Sequence, residues 1–284
     1  MDCPREIKNI YVTSSNRDVI KDPYGNSYTL YLTTPIKDIT NVELLYASVP
    51  NTMYNLTDGT NVIGFTSNVS SPAIVYQTLP LGFYGACNLA TEIYNAECLS
   101  SNVTVAFNQP EGKFIFLCST TFQMDIVTQE LASLMGFTST GIHTAIQASI
   151  GPYADNLRYK NKWYIKSDYV VDMNVNDGIF LDIQELRTMY NECAPRGSPL
   201  GTTNNNTANR SFGMIPMDVS SGSIKRYKKG VDFDTQIDYT YPIQKLDRLT
   251  ISWTDKTGKI LSFNGAEDNA MIIRFHTLRK NLCG

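Results

Sequence analysis

The residue types that most often do chemistry are sparse in this chain. Only two histidines occur, His143 and His276. Histidine supplies most acid–base, nucleophile-activating and zinc-binding chemistry. A zinc site needs further nitrogen or sulfur ligands at suitable spacing. His143 follows Gly141 in what reads as a loop, with no second histidine nearby. His276 alternates within "NAMIIRFHTL" and reads as part of a buried strand. The cysteines are Cys3, Cys87, Cys98, Cys118, Cys193 and Cys283, and none form CxxC. That spacing excludes zinc-ribbon and thioredoxin motifs. It suits ordinary buried thiols better than a disulfide framework, with a bridge between Cys3 and Cys283 left open.

Four short stretches invite a chemical test. "TGK" at 257–259 lacks the upstream glycine and the following hydroxyl of a phosphate loop, and reads as a hairpin turn. "DMNVNDG" (172–178) places Asp172, Asn174 and Asn176 like the first ligands of a calcium loop. The sixth position is Asp177 instead of glycine and the twelfth is Ile183 instead of glutamate, so a polar turn is expected. "IKRYKKG" (224–230) is basic around Tyr227, but "VDFDTQID" follows with Asp232, Asp234 and Asp238. Mixed charge of this kind is expected on a solvated strand and turn, not on a nucleic-acid patch. Trp163 and Trp253 have the shape to stack on sugars, though core positions are expected for both. The reading is therefore no catalytic residue, no cofactor site and no metal site.

Composition narrows the class further. Of 284 residues, 42 % are hydrophobic and only 18 % charged, with a net charge of −3. A dedicated nucleic-acid binder is expected to be strongly basic. No run approaches a membrane span, and the start "MDCPREIKNIYV" lacks the apolar core of a secretory signal. Neither a signal peptide nor a transmembrane segment is expected. Five Asn-x-Ser/Thr sequons, beginning at Asn55, Asn68, Asn102, Asn205 and Asn209, are close to the roughly four that so much Asn, Ser and Thr produces by chance.

The elements that would position these groups are mostly strands. Tyr28, Leu30 and Leu32 alternate with Thr29, Tyr31 and Thr33, and Pro35 is expected to end that strand. "VELLYASVP" follows as a strand apolar on both faces, with Val42, Leu44 and Tyr46 on one side and Glu43, Leu45, Ala47 and Val49 on the other. Pro50 ends it. Residues 61 to 79 read as further extended chain. Leu89, Ile93 and Ala96 recur at helical spacing with Asn88 as N-cap. Val103, Val105 and Phe107, then Phe114, Phe116 and Cys118, flank Pro110-Glu111-Gly112 as a hairpin. "TQELASLMGF" predicts a helix capped by Thr128 and stopped by a left-handed Gly136. Strand candidates return in "KWYIKSDYVVDM", "GIFLDIQEL", "FGMIPMDV" and "RLTISWTDKTGKILSF", the last as two strands about Lys256-Thr257-Gly258. Residues 192–211, with an Asn run, Gly and Pro, are expected to form a long exposed loop.

The order of these stretches resembles a known family. "YVTSSNRDVIKDPYGNSYTLYLTTPIKDITNVELLYASVPNTMYNL" leads to "GFYGACNLATEI", the hairpin, "LASLMGF", "GIFLDIQEL" and finally "IQKLDRLTISWTDKTGKILSFNGAEDNAMIIRF". The series is similar to virion structural proteins of large icosahedral DNA viruses with an internal membrane, above all the minor capsid proteins of giant and algal viruses. The likeness covers most of the chain. Where such proteins often carry histidine before the last strand, this chain has Asp268-Asn269.

The resemblance implies a mainly β fold: a jelly-roll-like β-sandwich made of residues 1–79 and 141–284, with 80–140 as a small inserted α/β subdomain of hairpin and helices. It implies a non-enzymatic structural protein of the virion, made in the host cytoplasm and placed in the inner capsid layer near the membrane. Its partners would be the major capsid protein and other minor capsid proteins, with no specific nucleic acid and no small-molecule substrate. A cement role beneath the shell is expected. A penton role at the five-fold vertex uses the same fold, and a carbohydrate- or receptor-binding β-sandwich is the alternative of another class. The apolar outer face at 43, 45, 47 and 49 would then be covered by the inserted helices or by a neighbouring subunit.

Overall fold

A computed structural model describes residues 5–66, 73–97, 103–148, 162–173, 178–187, 211–256, 258–266 and 268–278. The strands are β1 (Arg5–Thr13), β2 (Ser27–Pro50), β3 (Val62–Thr66), β4 (Val75–Thr78), β5 (Thr104–Asn108), β6 (Lys113–Cys118), β7 (Gln123–Ile126), β8 (Gly141–Thr144), β9 (Ile146–Gln147), β10 (Trp163–Lys166), β11 (Gly178–Ile183), β12 (Gly213–Pro216), β13 (Ile224–Lys228), β14 (Gln236–Thr254) and β15 (Ala270–Leu278). Two α-helices, α1 (Ala86–Glu97) and α2 (Gln129–Met135), lie among them. The fold is mainly β, with antiparallel sheets, of the jelly-roll-like β-sandwich class. The chain divides into two compact units, residues 1–53 with 176–284, and residues 54–175.

The first unit is one seven-stranded sheet in the order β1-β15-β2-β14-β11-β12, with β13 also on β2. Its spine is the antiparallel pair of β2 and β14, 24 and 19 residues long. Strands of that length cannot stay flat, and here bulges bend them. Tyr31 faces Arg248 and Ile36 faces Leu246, so residues 32–35 lie opposite the single residue 247. Pro35 thus sits in an irregularity, where its missing N–H costs no ladder bond, and does not end the strand. On the partner strand, Pro242 falls in the second irregular stretch, between Asp238 and Ile243.

The doubly apolar "VELLYASVP" has an explanation other than a covered outer face. Ile273 pairs with Leu44 and the adjacent Ile272 with Tyr46, leaving Leu45 as an extra residue on β2. That bulge inverts the alternation. Val42 and Leu44 before it, and Ala47 and Val49 after it, all join one core. Around them pack Tyr28, Ile183, Leu249, Trp253, Phe263 and Phe275, each under 2 % exposed. Pro50 ends the strand as expected.

The second unit holds two four-stranded sheets, β5-β6-β10-β9 and β4-β3-β7-β8. Phe65 of β3 and Phe116 of β6 meet across its core with ring centroids 6.0 Å apart. Leu89 and Ile93 of α1 and Leu131 and Met135 of α2 pack into the same core. The unit is larger than the 80–140 segment because β3 pairs with β7, and β10 with β6, across that segment's limits. Helix α1 starts two residues before Asn88, so the N-cap position falls on Gly85, whose carbonyl accepts the first helical bond from Leu89 N–H. Helix α2 matches its expected caps. Thr128 Oγ1 accepts from Leu131 N–H, and Gly136 is left-handed at φ 78°.

The C-terminal hairpin is shorter than expected. Gly258 turns the chain at φ 85°, but the return arm makes only an isolated bridge, Thr254 to Ile260. Residues 192–210 of the expected long loop lie outside the described residues.

Candidate functional site

Most groups singled out as chemically capable are used as internal braces. Glu43, on β2, is 8 % exposed. Its Oε1 lies 3.2 Å from His276 Nε2 on β15. Its Oε2 lies 3.1 Å from Lys229 Nζ and 3.7 Å from Arg274. The contacts of Oε2 with Lys229 and Arg274 are ion pairs. Burial pushes the Glu43 carboxyl up, but Lys229 and His276 outweigh it and hold it below its ordinary range. Next to it Asn41 Nδ2 donates to Asp238 Oδ1 at 2.6 Å. His276 thus joins a cross-strand cluster around the Glu43 carboxylate.

The basic stretch 224–230 is strand β13 and its following turn, as expected, but it is not uniformly solvated. Lys225 is 5 % exposed, and its Nζ lies 2.8 Å from both Asp218 and Asp232. Burial alone would lower the Lys225 pKa; Asp218 and Asp232 reverse that and raise it. Asp232 also accepts from Lys228 N–H at 2.8 Å. Asp218, which precedes the basic run, and Asp232, which follows it, are thus the counter-charges of Lys225.

His143 stands in strand β8, not a loop, with its ring 4.8 Å from that of Phe137 and Nε2 3.1 Å from Ser139 O. Asp168 accepts from the Thr138 N–H and hydroxyl, at 2.9 and 2.8 Å. The backbone N–H of Thr138 is the main reason its carboxyl lies below the usual range. Cys87 is exposed, against expectation, because α1 turns that position outward; Cys118 is buried. The other four cysteines lie outside the described residues. So do residues 174–177 of the calcium-like stretch and Thr257 of "TGK".

Trp253 is fully buried and its indole N–H donates to Asn269 Oδ1 at 3.2 Å, so it has no face to offer a sugar. Trp163 packs against the core of the second unit. Asn55, the first sequon asparagine, donates to Tyr84 O and Met173 O. Among the described residues no three His, Cys, Asp or Glu side chains converge to hold a metal ion. No helix among them is long and apolar enough to cross a membrane.

What this surface does present is apolar side chains. Ile20 is 91 % exposed, Val231 82 %, Tyr241 81 % and Tyr31 75 %. In the second unit Tyr169, Val170, Ile142 and Ile146 are exposed as well. Scattered apolar residues are ordinary on a surface, but bulky tyrosine and isoleucine side chains suit contact with partners. Composition hinted at this through 17 tyrosines, without saying which would be outside.

Comparison with known proteins gives three findings. The model of a family described as a family of unknown function (DUF5901) matches residues 5–226. No curated protein matches the sequence. Among solved structures, the crystal structure of selenomethionine-labelled mavirus penton protein is similar at a TM-score of 0.49 and 10 % identity, over 97 % of this chain and 100 % of that one.

Proposed function

We propose, from the premise that the chain belongs to the family of unknown function DUF5901, that it is a structural protein of a virion: a minor capsid component that bridges or stabilises major capsid units beneath the shell. The observation that carries this reading is the division of labour among its side chains. The buried acids and bases at Glu43 and Lys225 are matched inside the fold. The surface instead exposes Ile20, Tyr31, Val231 and Tyr241, groups suited to being covered by neighbours. The sequence resemblance to minor capsid proteins of large DNA viruses supports the same role. Its partners are then the major capsid protein and other minor capsid proteins, and its place the inner capsid layer.

Quantitative peptide mass spectrometry of purified, detergent-stripped virions, scaled to the major capsid protein, tests this. Hundreds of copies or more that stay with the shell are expected for a cement. About 60 copies, five at each vertex of a closed icosahedral shell, would replace this reading with a penton. Absence from the particle would overturn it.

A further inference from the structure

Strand β1 is the last strand on its side of the sheet among the described residues, and its pairing phase fixes what its outer edge offers. Ser14 N–H donates to Asn269 O at 2.9 Å. Hydrogen-bonded pairs alternate in an antiparallel ladder. Following the register, Val12–Met271 and Ile10–Ile273 are then hydrogen-bonded pairs. The main-chain groups of Asn9 and Tyr11 therefore point away from β15.

The first half of β2 has the same character. Trp253 N–H donates to Asn26 O at 2.8 Å, which makes Tyr28–Ile251 and Leu30–Leu249 the hydrogen-bonded pairs. Thr29 and Tyr31 turn their main-chain groups away from β14. Thr29 N–H is taken by Asp22 Oδ2 at 2.9 Å, as that phase requires. Tyr31 is one pair further along the same edge.

The two edges border one groove of about 570 Å³. Ile10, Val12, Leu30 and Leu249 supply its apolar lining, and Tyr11 and Tyr31 its rims. The turn between β1 and β2 walls one end, fastened by Arg17, which donates to Ser14 O and Asp22 O, each at 3.0 Å. A wall held in this way needs little ordering when something binds.

Main-chain donors and acceptors repeating every second residue, beside an apolar floor, match one chemistry. That chemistry is an extended polypeptide with apolar side chains at alternate positions. A sugar or a lipid has no such repeat. We propose that this groove is a strand-addition site, which takes an extended, proline-free segment of another protein along the outer edge of β1. The site does not depend on the capsid reading; where that reading holds, the segment belongs to a neighbouring shell subunit.

The test uses the purified full chain. Ten-residue peptides are selected on it from a random phage-displayed library, and the enriched peptides are synthesised. Their sequences are expected to lack proline and to alternate apolar with polar residues. At saturation they slow amide hydrogen exchange at Tyr11 and Tyr31 by about tenfold or more. Tyr11→Pro removes an outward N–H and no bond to β15, so it weakens binding by about tenfold or more while the chain stays folded. The exchange measurement uses the unaltered chain, so it decides the matter even if that variant does not fold. Failure to enrich peptides, or binding that leaves both amides unchanged, overturns the proposal. Slow exchange of both amides in the free chain at every concentration would mean that its own residues close the edge. Protection that grows with protein concentration would mean that a second copy fills it. Either result also overturns the proposal.

Discussion

The Tyr28 hydroxyl donates to Asn269 Oδ1 at 2.8 Å, joining positions 241 residues apart. The same oxygen accepts from Trp253 Nε1, while Asn269 Nδ2 donates to Gly25 O and Asn269 N–H to Ser14 Oγ. One amide side chain thus ties the entry of β2, the end of β14 and the start of β15, deep enough that burial holds the Tyr28 phenol well above its ordinary pKa. Removing the hub strands two buried donors, whereas removing one donor leaves Oδ1 still satisfied. Asn269→Ala is expected to lower unfolding free energy by about 3 kcal/mol or more, and Tyr28→Phe by only about 1 kcal/mol. Urea unfolding of the two variants and their double mutant checks this. Equal losses for the single variants would show that Asn269 is not the hub.

Glu43 carries the clearest pH dependence. Its folded pKa lies below its unfolded value of 4.5. Its contribution is therefore complete above that value and is lost as pH falls through the folded pKa. Between about pH 5 and pH 3, the melting temperature of the natural chain is expected to fall more steeply than that of Glu43→Gln. Asp168 and Asp232, also depressed, act in the same direction in both proteins and cancel in the comparison. Near neutrality Glu43→Gln leaves Lys229 and Arg274 without their counter-charge, at a cost of about 1 to 2 kcal/mol because both cations keep partial access to water. Parallel slopes on acidification would remove Glu43 from the acid response.

Lys225 and Asp232 should behave as a unit. Lys225 is buried and the Asp232 carboxylate, 2.8 Å away, is its less exposed counter-charge, with a side chain 11 % exposed. Lys225→Met leaves the Asp232 carboxylate with only the Lys228 N–H, and a loss of about 3 kcal/mol is expected. Adding Asp232→Asn should restore about 1 kcal/mol or more of it, because the stranded charge goes with it. Strict additivity of the two losses would refute the coupling.

The elements legible in the sequence were those whose signals are local. Thr128 and Gly136 mark the ends of α2 through hydrogen bonds within one turn, and the hairpin of β5 and β6 is written in its alternation and its Pro110-Glu111-Gly112 turn. Bulges are not local in this way. Leu45 becomes an extra residue only because of how β15 pairs with β2, and Pro35 is tolerated only because β14 skips past it. Asp218 and Asp232 each stand only seven residues from Lys225, but nothing in the mixed-charge pattern said that the chain would fold both onto it and bury it. The groove beside β1 was invisible for the same reason: it is bounded by main-chain groups, which every residue carries, and by the curl of a sheet.

The left-handed stop at Gly136 is held by two constraints that can be separated. Its φ of 78° disfavours any side chain, and a Cβ there would stand 2.5 Å from Tyr169 O. Tyr169 N–H in turn donates to Gly136 O at 2.9 Å, so that carbonyl cannot retreat without breaking a strut between α2 and the segment after β10. Left-handed backbone alone costs a non-glycine residue about 1 to 2 kcal/mol, and asparagine tolerates it better than alanine. The contact with Tyr169 penalises both equally. Gly136→Ala and Gly136→Asn are therefore expected to lose similar amounts, about 3 kcal/mol or more. Gly59 provides the control: at φ 81° it has nothing within 4 Å of a Cβ, so Gly59→Asn should cost under about 1 kcal/mol. Thermal unfolding of the three variants decides it, and substantial rescue by asparagine at 136 would show that backbone strain, not the Tyr169 carbonyl, demands the glycine.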